Sequence, residues 1–203
     1  MDIIIPGHIK FAVMDFVSDT PTMTTESDHY KKVVRVVPVH RYTCKLDTVP
    51  IRRGALSRGF AAQLESLNGR AGLIRLKLPE YSYLLGNMSG TLTVKTSAPV
   101  GATQVELTTT TSGLIFNALM SGSCIQFGNS TKVYSVLYDA DAGATGDVTI
   151  TLTLPLLSNI VAGTVVTYDD IYFTMRQKSD KKSYKISSNN KQSISILDLE
   201  EEL

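Results

Sequence analysis

Asp147-Val-Thr-Ile-Thr-Leu-Thr-Leu154 decides the fold of this chain. Val148, Ile150, Leu152 and Leu154 alternate with threonines, the period of two that turns one face of a strand to a core and the other to water. The same alternation recurs upstream at Leu92 and Val94, at Val105 and Leu107, and at Ile125 and Phe127. Gly128-Asn129 reads as a hairpin turn between Ile125–Phe127 and the Lys132–Val136 run, while 139–147 reads as a Gly- and Ala-rich loop joining two longer strands. Five or so short strands separated by turns suit a closed or partly closed five-stranded barrel of the oligonucleotide/oligosaccharide-binding (OB) type, and suit a small sandwich almost as well.

Outward from this region the composition changes. From Gly90 to about Tyr168 the only basic residues are Lys95 and Lys132, whereas both flanks are richly charged. The shift predicts two modules: a discontinuous one, residues 1–88 and 169–203, and an inserted one, residues 89–168. In the first module, Val33-Val-Arg-Val-Val-Pro-Val-His-Arg-Tyr-Thr-Cys-Lys-Leu46 puts Val34, Val36, Tyr42, Cys44 and Leu46 on one parity, a half-buried strand that Pro38 interrupts by a bulge or confines to an edge. Leu56, Phe60, Leu64 and Leu67 recur at helical spacing, and Asn68-Gly69 supplies the left-handed stop. Gly59 costs this helix about 1 kcal/mol against alanine, so packing has to carry it. Ile74, Leu76 and Leu78 predict a strand up to Pro79. Ile171, Phe173 and Met175, the basic turn Lys178–Lys182, then Tyr184 and Ile186 predict a hairpin, and 193–197 a last strand. The basic turn reads first as a solvated loop tip and second as a contact for a partner ring.

Twenty basic residues against nineteen acidic leave a net charge of +1, which gives no field to hold nucleic acid or anionic lipid. The start, Met1-Asp-Ile-Ile-Ile-Pro-Gly7, has an acid where a secretion signal wants a base, and no stretch nears the roughly eighteen apolar residues of a membrane span. Membrane insertion is therefore not expected. Cys44 and Cys124 are far apart with no CxxC, so buried free thiols are expected and neither a metal nor a cofactor. His8, His29 and His40 stand alone, and no nucleophile elbow, phosphate loop or HExxH motif is present. Asp139, Asp141 and Asp147 lack the ligand spacing of a calcium loop and read as solvated loop acids. No catalytic, cofactor-binding or metal residue is assigned, and no enzyme is expected.

Ala62-Gln-Leu-Glu-Ser-Leu-Asn-Gly-Arg-Ala-Gly-Leu-Ile-Arg-Leu-Lys-Leu-Pro79 resembles the segment of bacteriophage distal tail proteins in which a helix, a glycine-rich turn and a strand ending in Leu-Pro precede a barrel module. Ser121-Gly-Ser-Cys-Ile-Gln-Phe-Gly-Asn-Ser-Thr-Lys-Val-Tyr134 and Thr151-Leu-Thr-Leu-Pro-Leu-Leu157 are similar to stretches of that module. Ser193-Ile-Ser-Ile-Leu-Asp-Leu-Glu-Glu-Glu-Leu203 looks like the closing strand and short acidic tail of the family. The likeness runs in order from about residue 50 to the C-terminus, with residues 1–49 matching only in outline. It implies a mainly β chain: a β-sandwich-like ring domain with one helix, and a small OB-like barrel inserted between Leu85 and about Tyr168. It further implies a hexameric ring at the virion tail tip, assembled in the host cytoplasm, that joins the tail tube to the hub and to receptor-binding or fibre proteins and lets DNA pass as cargo. Unpaired strands near Pro38 or in the 171–187 hairpin are the candidate ring edges.

The alternative is a glycan-binding accessory module of the phage baseplate, with Phe116, Phe127, Tyr134, Tyr138 and Tyr168 as the aromatics of the insert. Two lysines and no arginine make nucleic acid a poor ligand for that barrel. A hydrolase is the weakest reading, because resemblance of fold assigns no chemistry.

Overall fold

In the computed structural model, the residues described are 2–7, 9–26, 32–37, 39–52, 54–186, 191–195 and 197–203. Calls on His8, His29, Pro38 and Ile196 lie outside them. The chain is mainly β, with curled sheets and, among the described residues, one α-helix. Its strands are β1 (Asp2–Ile4), β2 (Phe11–Asp19), β3 (Thr22–Glu26), β4 (Lys32–Val36), β5 (Arg41–Thr48), β6 (Ile51–Arg52), then helix α1 (Ala55–Ser66) and β7 (Leu73–Leu76). There follow β8 (Leu92–Val94), β9 (Gln104–Thr109), β10 (Ile115–Leu119), β11 (Cys124–Phe127), β12 (Val133–Ser135), β13 (Ala140–Ala142), β14 (Asp147–Thr151) and β15 (Val165–Thr167). The chain closes with β16 (Phe173–Gln177), β17 (Ser183–Ile186), β18 (Lys191–Ser195) and β19 (Leu197–Glu201). Contacts divide it into two units: Met1–Leu76 with Thr174–Glu202, and Lys77–Phe173.

The first unit holds a six-stranded sheet in the order β1-β7-β16-β19-β5-β2, a three-stranded sheet β17-β18-β6, and the two-stranded ribbon β3-β4. Alternation explains which side of the large sheet is dry. Tyr42, Cys44 and Leu46 of β5 and Leu197 and Leu199 of β19 are buried, while Lys45 between them is exposed. The opposite face is laced by ion pairs, Arg41 with Glu200 at 3.2 Å and Arg176 with Glu202 at 2.7 Å among them. Helix α1 starts where the Ser57 hydroxyl accepts the Gly54 N–H at 3.2 Å and ends at Asn68, whose φ of 51° is left-handed. Phe60, Leu64 and Leu67 are buried, and removing each from water is worth roughly 2 kcal/mol, which offsets Gly59. Leu56, expected on the same stripe, is 60% exposed.

Three strand assignments are corrected. The 33–46 stretch is two strands: β4 pairs with β3 and Val34 is exposed, whereas β5 enters the large sheet. The 171–187 hairpin does not form, because β16 pairs with β19 and β17 pairs with β18. The expected last strand at 193–197 is split between β18 and β19, and the acidic ending is an inner strand of the large sheet. Glu201 is buried there, its carboxylate accepting the Tyr42 N–H at 3.1 Å.

In the second unit, β12-β11-β15-β8-β9-β14 form one antiparallel sheet of six strands. The expected hairpin across Gly128-Asn129 is there, with Ile125 opposite Tyr134. The sheet curls until its two edges meet. Val136, just past β12, bridges Leu152, just past β14, and the Leu137 and Thr153 N–H groups donate across the seam to Thr151 and Ser135 carbonyls at 2.7 and 2.9 Å. Leu107, Ile125, Phe127, Tyr134 and Ile150 are among its buried core. The count is thus six strands in the curled sheet where turn spacing suggested about five. A separate ribbon, β10 with β13, makes up the rest, and β13 lies inside the stretch read as a loop at 139–147.

Candidate binding surfaces

The residues that sequence singled out divide into braces and exposed groups. His40 is buried, its Nε2 2.7 Å from Ser18 Oγ and its ring edge-on to Tyr42 at 4.4 Å. Cys44 and Cys124 are both free and buried. Burial above all, then Asp15 and Asp198, pushes the Cys44 thiol up to about 12.

The three loop acids are not idle in solvent. Asp139 accepts the Ser121 N–H and Asp141 the Asn117 N–H, both at 2.7 Å, while Asp147 holds the Lys95 ammonium at 2.7 Å and the Thr145 hydroxyl at 2.9 Å. That pairing, led by the Lys95 hydrogen bond, holds the Asp147 carboxyl below the usual range. Among the described residues, no three His, Cys, Asp or Glu side chains gather as a metal site would require.

The basic turn is also tied down. Lys182 donates to the carbonyl of Leu64 in the last turn of α1, where the helix dipole favours a cation, and burial lowers its affinity for the proton. Asp180 accepts the Arg70 N–H at 3.0 Å, and a Cβ at Gly69 would collide with that carboxylate. The solvated-tip reading holds for Asp180, whose side chain is 71% exposed, and fails for Lys182, which is half-buried against the end of the helix.

Two exposed surfaces remain. The first belongs to the first unit. β2 is an edge strand of nine residues with Val13 56% and Val17 47% exposed, and beside it Val13, Asp15, Lys45, Leu46 and Asp47 line a shallow cavity of about 170 Å³. The β2–β5 pairing reaches Asp19 opposite Arg41, and the β3–β4 ribbon begins with Thr22 opposite Val36. All of β3 is exposed, with Met23 at 65%, and so are Val33 and Val34 opposite. A two-stranded ribbon with no covered face is marginal in water. The sequence reading passed over 11–26, although Phe11-Ala-Val-Met-Asp-Phe-Val17 carries the apolar and aromatic content of a strand.

The second surface is the β10–β13 ribbon of the second unit. Of the five aromatics in the insert, Phe127 and Tyr134 are core, in edge-on contact at 5.7 Å, and the Tyr168 hydroxyl donates to Gly90 O at 2.6 Å. Phe116 and Tyr138 are each 64% exposed.

No family model and no curated protein sequence matches this chain. Among the described residues, no helix is long and apolar enough to cross a membrane.

Proposed function

We propose that this chain is a structural protein of a phage tail tip, of the distal tail type, which associates with copies of itself in a closed ring between the tail tube and the hub and receptor-binding apparatus. In this reading it performs no catalysis, and DNA crosses the ring as cargo. The supporting observation is the uncovered β-structure of the first unit: a nine-residue edge strand running into a ribbon that exposes Met23, Val33 and Val34. Soluble proteins usually blunt such edges with prolines, charges or covering loops, and β2 carries only Asp15 and Asp19 along its length. A rotationally closed assembly needs one surface on each copy that fits a different surface on the next. An open strand edge supplies the first half of such a contact. Of the other candidate edge, 171–187, β16 lies inside the large sheet, while β17 is a short outer strand of the three-stranded sheet.

The reading is tested by immunogold labelling of virions with antibody to the purified protein, together with negative-stain microscopy of the protein at high concentration. Label at the tail tip and rings of uniform size are expected. The double substitution M23D/V34D, at exposed positions, is expected to leave the melting temperature within about 2 °C and to abolish rings. Label elsewhere, or rings unaffected by the substitutions, would overturn the proposal.

A further inference from the structure

The β10–β13 ribbon contains the one non-glycine left-handed residue within a strand of the second unit. Ile115 pairs with Ala142 and Leu119 with Ala140, so Phe116, Asn117 and Ala118 stand opposite Asp141 alone. Asn117 has φ 49°. Such a bulge reverses which side chains face out, and it persists only where neighbours hold it. Here it is held on both sides. Asp141 accepts the Asn117 N–H at 2.7 Å, the Asn87 N–H donates to Asn117 O at 2.9 Å, and Asn87 Nδ2 donates to Phe116 O at 3.1 Å. Gly86 lets that segment approach, since a Cβ there would lie 2.6 Å from Ala118 O. The result is that Ala118 and Leu119 are buried and Phe116 stands in solvent on a fixed backbone. Tyr138, equally exposed, flanks Asp139, whose carboxylate is held in turn by the Ser121 N–H.

From this arrangement we infer that Phe116, with Asp141 opposite it in the ribbon, forms a binding platform for a neutral oligosaccharide. The charge of the unit selects the ligand class. Residues 77–173 contain no arginine and three lysines: Lys77 is paired with Asp170, Lys95 with Asp147, and Lys132 is buried. A phosphate, sulfate or uronate would meet carboxylates and no available ammonium. A neutral sugar presents a C–H face that stacks on an aromatic ring and hydroxyls that donate to carboxylate and amide oxygens, the two kinds of group found here. Size points the same way. Five residues of strand beside a second strand offer roughly 17 Å by 10 Å, about 170 Å², well short of the about 800 Å² per partner of a standard protein interface. The platform suits a few sugar rings. The ring proposal concerns the other unit, so this inference stands or falls separately from it.

The test uses the full chain on an array of neutral oligosaccharides (glucose, galactose, mannose and N-acetylglucosamine oligomers) with heparin and polygalacturonate as anionic controls, followed by titration of any hit. Saturable binding to a neutral oligomer is expected. Phe116→Ser is expected to weaken it about tenfold or more, the scale of one lost aromatic stack, with circular dichroism and oligomeric state unchanged. Asp141→Asn, which keeps an oxygen for the Asn117 N–H, is expected to weaken it less. No saturable binding to any neutral oligomer, equal binding by Phe116→Ser, or binding confined to the anionic controls would each overturn the inference. So would self-association that Phe116→Ser abolishes in the absence of sugar binding, which would make the ribbon a protein contact.

Discussion

Glu202 holds Arg176 fork to fork: Nε donates to Oε2 at 2.8 Å and Nη2 to Oε1 at 2.7 Å. The same guanidinium donates through Nη1 to Arg70 O at 2.7 Å, so one side chain links β16, the end of β19 and the turn after α1. Arg176→Met keeps the aliphatic stem and removes all of these bonds. The expected loss is about 1–2 kcal/mol, above that of an isolated surface pair because the contact is bidentate and also satisfies a carbonyl. Urea denaturation of both proteins measures it.

The pair also has a pH signature. Arg176, chiefly by its hydrogen bond, holds the Glu202 carboxyl below the usual range. A carboxyl depressed in the fold stabilises the protein above its unfolded value, near 4.3, and that contribution is lost as pH falls from there through the folded value. Glu202→Gln is expected to flatten the decline in stability below about pH 5, measured by urea midpoints at pH 3–7. An unchanged slope would mean that the pair is broken in solution.

Cys44 makes the opposite kind of prediction. With its thiol pushed up to about 12 by burial, it stays protonated in the fold at pH 8 and should not react with a thiol reagent. In 6 M guanidinium both cysteines should react promptly. An unfolded thiol ionises near 8.5, so this group favours the fold at neutral pH and its contribution fades as pH rises from there toward 12. Fast labelling of the native protein at Cys44, located by peptide mapping, would contradict the burial.

Much of the β character was legible, because period-two alternation is local and Val148, Ile150 and Leu152 are all buried, as their shared parity says. Pairing was not legible where it is non-local. The basic turn after Gln177 reads as a hairpin turn, yet Gln177 pairs with Leu199. The acidic ending read as a tail because its charges stood out, although Leu197 and Leu199 alternate with Asp198 and Glu200 as an inner strand would; the buried Glu201 completes that parity through its bond to the Tyr42 N–H. Phe116 shows a further limit. Composition named five aromatics, but a bulge slips the parity of β10, and only the backbone separates the exposed ring from those in the core.

The bulge predicts an asymmetric mutational pattern. Asn117→Gly is expected to change stability by no more than about 0.5 kcal/mol, since glycine adopts positive φ freely. Asn117→Val should cost about 1–2 kcal/mol, because a β-branched residue resists that conformation. Gly86→Ala faces both a φ of 132° and the carbonyls of Asn117 and Ala118, and about 2 kcal/mol or more is expected. Equal effects of the glycine and valine replacements at 117 would rule out the left-handed bulge.

The seam between Val136 and Leu152 yields the last prediction. Leu152 is buried and lies where the curled sheet closes, its N–H donating to Thr103 O at 2.7 Å while Val136 lies across the bridge. Leu152→Ala should cost about 2–5 kcal/mol by the usual arithmetic of a buried leucine. Its effect should also be local before it is global. Amides that donate across the seam, Leu137 and Thr153, are expected to lose hydrogen-exchange protection at lower denaturant than those of β8 and β9, which are paired along their length. If the seam is only an approach of two edges, the substitution will cost less than about 1 kcal/mol and the amides of Leu137 and Thr153 will exchange quickly in the wild type as well. If it is a true closure, those two amides will be protected in the wild type and exposed in the variant while β8 and β9 stay folded.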